Sequence, residues 1–427
     1  MNMFRNVLKN TLNYALTFLR WVLAAAIVGA VCGLAGALFA IGVEEATHLR
    51  QHNEWVIWLL PLGGLAIAGL YKLLKLPLSL GTDEIIKTVR TQGKVPLAMA
   101  PAIFLSTVLT HLLGGSAGRE GAALQLGGSI GAALGDLTHP SREKDDRRIF
   151  ELCGMAALFS ALFGTPFTAA VFVLEIIEVG KFNHRAFLPC VVSAVTAKLT
   201  ALAVGAPVEI FPLASQLVAV NTVSVLQSAG VGVACGLVAI LFCVVMHFDN
   251  KLMKKWIPNG FVRIAVGGAA VIALTLLVGS QDYNGGGMHV IFAALAGEAV
   301  PFAFLLKILF TAVSLGSGFK GGEIVPSFFV GATLGCTAAG LIGLNPAVGA
   351  AVGLISVFCG VTNAPLASLL LSVELFGTEY LPLIGTGLAV SFMLSGHFSL
   401  YHEQLFVSPK LGSSETEIHA HDESVAA

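Results

Sequence analysis

Charge is what this sequence lacks. Only 11% of its 427 residues are Asp, Glu, Lys or Arg, against about 25% in an average soluble domain. That is too little polar surface to cover a fold in water, and a mean hydropathy of +0.84 makes the bilayer the solvent. Neither sign of charge is in excess, with 24 Lys+Arg against 25 Asp+Glu. No basic stripe interleaved with aromatics occurs, which excludes a nucleic-acid partner. The seven cysteines (Cys32, Cys153, Cys190, Cys235, Cys243, Cys336, Cys359) show no C-x-x-C spacing and mostly lie inside apolar runs. They support neither a disulfide frame nor a metal site and read as buried small residues.

What is present is a long series of apolar segments broken by glycine and proline. Several are only about 12 to 15 residues long, too short to span a bilayer as a helix. Helices that stop inside a membrane are permitted only where the freed backbone lines a cavity or another helix. The first 20 residues, with Arg5, Lys9 and Arg20, read as a cytoplasmic amphipathic helix lying on the membrane. The apolar run from Trp21 to about Val43 then reads as an uncleaved membrane helix. The charged stretch His139–Arg148 is too polar to span and must be a loop.

The chain repeats itself. Gly154, Pro166 and Glu175 in one segment are matched by Gly353, Pro365 and Glu374, with the prolines 199 residues apart. Gly115-Ser116 is matched by Gly316-Ser317, with the serines 201 residues apart, and each leads into an apolar helix containing Gly131 or Gly331. The expected fold is therefore all-α and polytopic, an inverted repeat of two halves with broken and re-entrant helices. The halves are expected at 21–220 and 221–407, with a disordered tail at 408–427.

The sharpest motif is Gly114–Gly128, GGSAGREGAALQLGG. A glycine-rich turn feeds a helix whose first N–H groups point back into a cavity and favour an anion. Glu120 stands at that helix start. Its carboxylate occupies the anion seat when charged and leaves it when protonated, so one side chain has two exchangeable states. The second copy, Gly316–Gly335, has Glu323 at its helix start, where Lys320 either pairs with it or leaves it free. In a third glycine break, Leu80-Gly81-Thr82-Asp83-Glu84, the two acids read as helix caps. Reading Ser116 and His111 as an intramembrane serine hydrolase places both on one short segment, with no orienting group or oxyanion donors. A membrane subunit without transport of its own leaves the broken helices unexplained.

L-G-T-D-E at 80–84, GREG at 118–121, the G-x-x-x-P element at Gly322–Pro326 and Tyr401 in S-L-Y, in this order along the chain, resemble the CLC family of chloride channels and anion/proton antiporters. The resemblance runs from about Ala25 to Leu405. It implies transmembrane transport of halide anions, chloride or fluoride, with protons as the second ion and no cofactor, by a homodimer in a bacterial inner membrane. It implies Glu120 as the gating glutamate and, with Glu323, as a proton carrier. It also implies anion contacts at Leu80, Gly81, Gly118, Arg119, Gly121, Ile324, Val325 and Tyr401. Four positions depart from the common pattern. Ala122 replaces a proline, Leu80 replaces a coordinating serine, and Ile324 replaces a phenylalanine with Glu323 beside it. Ile176 stands where an internal proton-transfer glutamate is usual. The G-G-E-x-x-P form is similar to the fluoride-exporting branch, which lacks the same serine and glutamate, although that branch tends to have Met at Leu80 and Thr at Val325. A proton-coupled antiporter for fluoride is the expectation, and a passive chloride channel the alternative.

Overall fold

The computed structural model describes residues 2–91, 93–138, 144–213, 218–407, 410 and 418–420. The described residues form sixteen α-helices and three two-residue strands, and 76% of them are helical. The first half holds α1 (Asn2–His52), α2 (Leu60–Leu73), α3 (Thr82–Thr91), α4 (Met99–Leu113), α5 (Glu120–Thr138), α6 (Lys144–Phe163), α7 (Pro166–Glu175) and α8 (His184–Val204). The second half holds α9 (Thr222–Trp256), α10 (Gly260–Val278), α11 (Met288–Leu295), α12 (Ala303–Ser317), α13 (Ile324–Ile342), α14 (Pro346–Thr362), α15 (Pro365–Phe376) and α16 (Leu381–Leu394). Among the described residues six apolar segments are long enough to cross a membrane, while α4, α7, α12, α14, α15 and α16 are apolar but shorter. This is the alternation of full and broken helices expected of the repeat.

Glycines set the closest helix contacts, and they do so alike in both halves. A Cβ on Gly127 of α5 would lie 2.2 Å from the carbonyl oxygen of Gly154 on α6. A Cβ on Gly331 of α13 would lie 2.3 Å from that of Gly353 on α14. Without a hydrophobic force between helices in lipid, such small-residue contacts let backbones approach and hold by dispersion.

The two halves also cap each other. Glu374, at the end of α15, accepts hydrogen bonds from the N–H groups of Phe167 (3.2 Å) and Thr168 (2.8 Å) at the start of α7. Glu175, at the end of α7, accepts from Leu366 (3.1 Å) and Ala367 (2.7 Å) at the start of α15. The repeated Pro and Glu are thus one device used twice: proline fills a first-turn position that needs no N–H, and the other half's carboxylate satisfies the next two. Removing either carboxylate leaves two helix N–H groups without an acceptor. Glu175→Ala and Glu374→Ala are each expected to cost about 2 kcal/mol, seen as similar drops in thermal midpoint in detergent. A loss from one variant only would contradict the reciprocal arrangement.

Two expectations are corrected. α1 does not break near Arg20 into a surface helix and a membrane helix. It runs unbroken from Asn2 to His52, and no glycine or proline occurs before Gly29 to interrupt it. The tail from Ser408, most of which lies outside the described residues, is not wholly loose. Lys410 Nζ donates to Phe392 O at 2.7 Å. β3 (Ile418–His419) pairs antiparallel with β2 (Leu405–Phe406), which pairs parallel with β1 (Glu178–Val179). The polar loop expected at His139–Arg148 lies outside the described residues up to position 143, and α6 begins at Lys144. All seven cysteines are free and buried.

Basic residues collect at one end of the molecule. Lys87 and Arg90 pair with Glu403 at 3.4 and 2.8 Å, and Arg148 and Lys181 reach Glu178 at 3.7 and 3.2 Å, on either side of the small sheet. The connections 205–221, 279–287, 296–302, 343–345 and 377–380 contain no Lys or Arg. The sheet end is called the inner end below, and the opposite one the outer.

Candidate functional site

Two cavities enter the fold from opposite ends and stop short of each other. The inner one, about 190 Å3, is lined among others by Leu80, Gly81, Asp83, Lys320, Glu323 and Tyr401. The outer one, about 390 Å3, is lined among others by Arg50, Gly118, Arg119, Glu120, Glu209 and Val325. Between them the starts of α5 and α13 meet. Gly118 N–H donates to Gly322 O at 2.7 Å and Gly322 N–H to Gly118 O at 2.8 Å, a single antiparallel bridge joining the halves. A Cβ on Gly121 would lie 2.7 Å from Gly322 Cα, so only glycine lets these two helix starts touch. Gly121 and the buried Ile324 line neither cavity and sit in this barrier.

Glu120 is fully buried at the inner limit of the outer cavity. Its side chain folds back over its own helix start, where Oε2 accepts the Arg119 N–H at 2.9 Å. Its Oε1 has no hydrogen-bond partner among the described residues and lies 3.7 Å from Arg119 Nε. The carboxylate thus sits where the helix dipole and the free N–H groups hold an anion.

Glu323 precedes the first turn of α13 and faces the inner cavity, half-buried. The alternative in which Lys320 neutralises it is excluded by geometry. Lys320 Nζ donates to the carbonyls of Leu78 (2.5 Å) and Leu80 (2.8 Å) and lies 4.5 Å from the Tyr71 ring centre. A lysine of the second half therefore clamps the first half's Leu80-Gly81 break and leaves Glu323 without an ion pair among the described residues. Asp83, expected as a cap, instead accepts the Glu403 N–H at 3.3 Å.

Tyr401 is buried, and its hydroxyl has no partner among the described residues. Its backbone is fixed from below: Tyr401 N–H donates to Ser399 Oγ, whose hydroxyl donates to Gln404 Oε1 at 2.7 Å, and Gln404 donates in turn to Thr362 O. The end of α14 thereby holds the tyrosine against the inner cavity.

Several contributors escaped the sequence reading. Gln125 Nε2 donates to Thr82 Oγ1 (3.1 Å) and Gly121 O (3.2 Å), tying the Leu80-Gly81-Thr82 break to the first turn of α5. Lys307, wholly buried on α12, donates to Tyr283 O (3.1 Å) and Gly285 O (2.7 Å) and holds the 283–287 turn against the outer cavity. Glu209 meets Arg119 at 2.9 Å. A polar side chain inside an apolar run was the available signal for Gln125 and Lys307. Ser116 and His111 do not pair with each other: Ser116 Oγ bonds Thr311 Oγ1, and His111 Nδ1 bonds Thr107 O.

Inverted halves, helix starts meeting at a buried carboxylate, and a cavity on each side define a membrane transporter or channel for small anions. The family model for voltage-gated chloride channels matches residues 72–396, and the chain belongs to that family, the CLC family. It is 37% identical over 393 residues to the "Chloride/fluoride channel protein" of Pseudomonas syringae pv. tomato, covering 90% of this chain and 86% of that protein. The solved structure of a CLC-type fluoride/proton antiporter superposes with a TM-score of 0.86 at 31% identity, over 91% of this chain and 98% of that one. A slow cyanobacterial chloride/proton antiporter shares the fold, with a TM-score of 0.73 at 20% identity over 87% and 94% of the two chains.

Proposed function

We propose that the protein is a halide/proton antiporter working as a homodimer in a bacterial inner membrane, with fluoride as its preferred anion. Glu120 is the gate and proton carrier, and Glu323 is a second proton-bearing group on the inner side. The observation that carries this reading is the buried Glu120 carboxylate on the α5 start, closing the path between the two cavities. Protonated, the acid loses its attraction for the helix dipole and yields the seat to an anion. Charged, it displaces the anion. Exchange of one for the other couples the two flows. The antiport activity named for the solved relative and the chloride and fluoride named for the Pseudomonas protein support the same assignment. Leu80, Gly81 and Tyr401 contact the anion on the inner side, and Gly118, Arg119 and Val325 on the outer side.

Fluoride holds its water more tightly than chloride and needs strong, close donors in exchange. Leu80 brings no side-chain hydroxyl to the inner cavity. Glu323, free of Lys320, supplies an O–H when protonated, and the Tyr401 hydroxyl supplies another. Proteoliposomes loaded with fluoride or chloride in separate runs test this. Fluoride is expected to leave faster, and Glu323→Ala to lower the fluoride-to-chloride rate ratio about tenfold, the equivalent of one charge-assisted bond of about 1.5 kcal/mol. Chloride leaving as fast as fluoride, with a ratio untouched by Glu323→Ala, overturns the fluoride assignment.

A further inference from the structure

Arg119 in the GREG turn serves two carboxylates. Its Nη2 donates to Glu209 Oε1 at 2.9 Å, while its Nε stays 3.7 Å from Glu120 Oε1, beyond hydrogen-bond reach. Glu209 belongs to the connection between the two halves and is stiffened by Pro207 and Pro212. Its other oxygen, Oε2, is buried without a partner among the described residues. The remaining charged and titratable groups of the outer cavity are engaged elsewhere. Arg50 of α1 donates to Gln281 at 3.4 Å, Glu44 lies 4.0 Å from His48, His289 of α11 meets Asp282 at 2.8 Å, and His111 of α4 bonds Thr107 O. Arg119 is therefore the cation for which Glu120 and Glu209 compete, and Glu209 holds the shorter contact.

We infer that Glu209 is a positioning residue of the gate: by drawing the Arg119 guanidinium outward it keeps Glu120 from being locked in its seat, and so sets the external pH at which the gate opens. The inference rests on Glu120 being the gate. The sign follows from charge. With Glu209 neutral, Arg119 is released to pair with the charged Glu120, and a repelling carboxylate is lost as well. Both effects hold the charged, seated form, so more protons are needed to free it.

The test is halide efflux from proteoliposomes against external pH. Glu209→Gln is expected to move the midpoint about one unit to lower pH, and Glu209→Asp, which keeps the charge, to restore most of the original midpoint. In a Glu120→Gln background, where no carboxylate remains to be held, Glu209→Gln is expected to produce no shift in the pH dependence of the passive flux. An unmoved midpoint in Glu209→Gln overturns the inference. So does an equal shift in Glu209→Asp, or a shifted pH dependence of the passive flux in the double variant, since the glutamate would then not act through the Glu120 carboxylate. Proton coupling that survives Glu120→Gln alone is a separate result and overturns the gate assignment instead.

Discussion

Glu120→Gln is expected to abolish proton coupling, taking proton flux from the wild-type level to below detection while anions still cross. The amide keeps the size and one acceptor oxygen of the carboxylate, so the Arg119 N–H that Glu120 accepts at 2.9 Å remains satisfied and the fold is not disturbed. What is lost is titration: an amide neither gains nor releases a proton near neutral pH. It also carries no charge to compete with a halide for the helix start, and with the oxygen kept on the Arg119 N–H, the NH2 end faces the Arg119 Nε, a donor beside a donor. The seat is therefore held weakly, and halide passes down its own gradient. Recording halide and proton movement together in the same vesicles checks this. Proton transport that persists in Glu120→Gln removes the residue from the gate.

Gly322→Ala is expected to reduce transport of either halide at least about tenfold. A Cβ on Gly322 would lie 2.3 Å from Gly121 N and 2.7 Å from Gly121 Cα, against backbone that has no flexible end to yield. Relief requires moving the start of α13 away from that of α5, which breaks the paired 2.7 and 2.8 Å bonds between Gly118 and Gly322. Overpacking of this kind costs about 1 to 3 kcal/mol, and here it falls on the barrier that aligns both helix starts with the anion. Gly340→Ala is the control. That glycine is also on α13, but a Cβ there meets nothing within 4 Å, and alanine favours the helix. Wild-type transport is expected from it. Equal effects from the two substitutions would mean that the close approach at Gly322 is not what shapes the path.

The repeat and the helix starts were legible because they are local patterns. Gly118, Glu120, Gly121 and Glu323 are each marked by glycine spacing next to a charge in an apolar run, and the matched Pro and Glu at Pro166–Glu175 and Pro365–Glu374 announced two halves. What those glutamates do was not legible. Glu175 and Glu374 cap helices 191 to 207 residues away, and only the inverted packing of the halves brings them there. The same limit applied to Lys320, for which pairing with its near neighbour Glu323 was one of two open readings. Its true acceptors, Leu78 O and Leu80 O, are more than 230 residues distant. Glu209 stood in a connection with no repeated counterpart and gave no local sign that it reaches Arg119. The continuity of α1 was misjudged because basic residues at its start suggested a boundary, whereas a helix ends on glycine, proline or a cap and not on charge alone.

The central claim is that one seat serves both ions in turn. Its most direct test is wild-type protein in sealed vesicles at equal pH on both sides, with an outward fluoride gradient and both ions recorded. Fluoride leaving the vesicles is expected to drive protons inward, acidifying the lumen against the gradient that builds, at a fixed ratio over the whole time course. Fluoride leaving at full rate with no proton movement would contradict the shared seat and make the protein a passive anion channel.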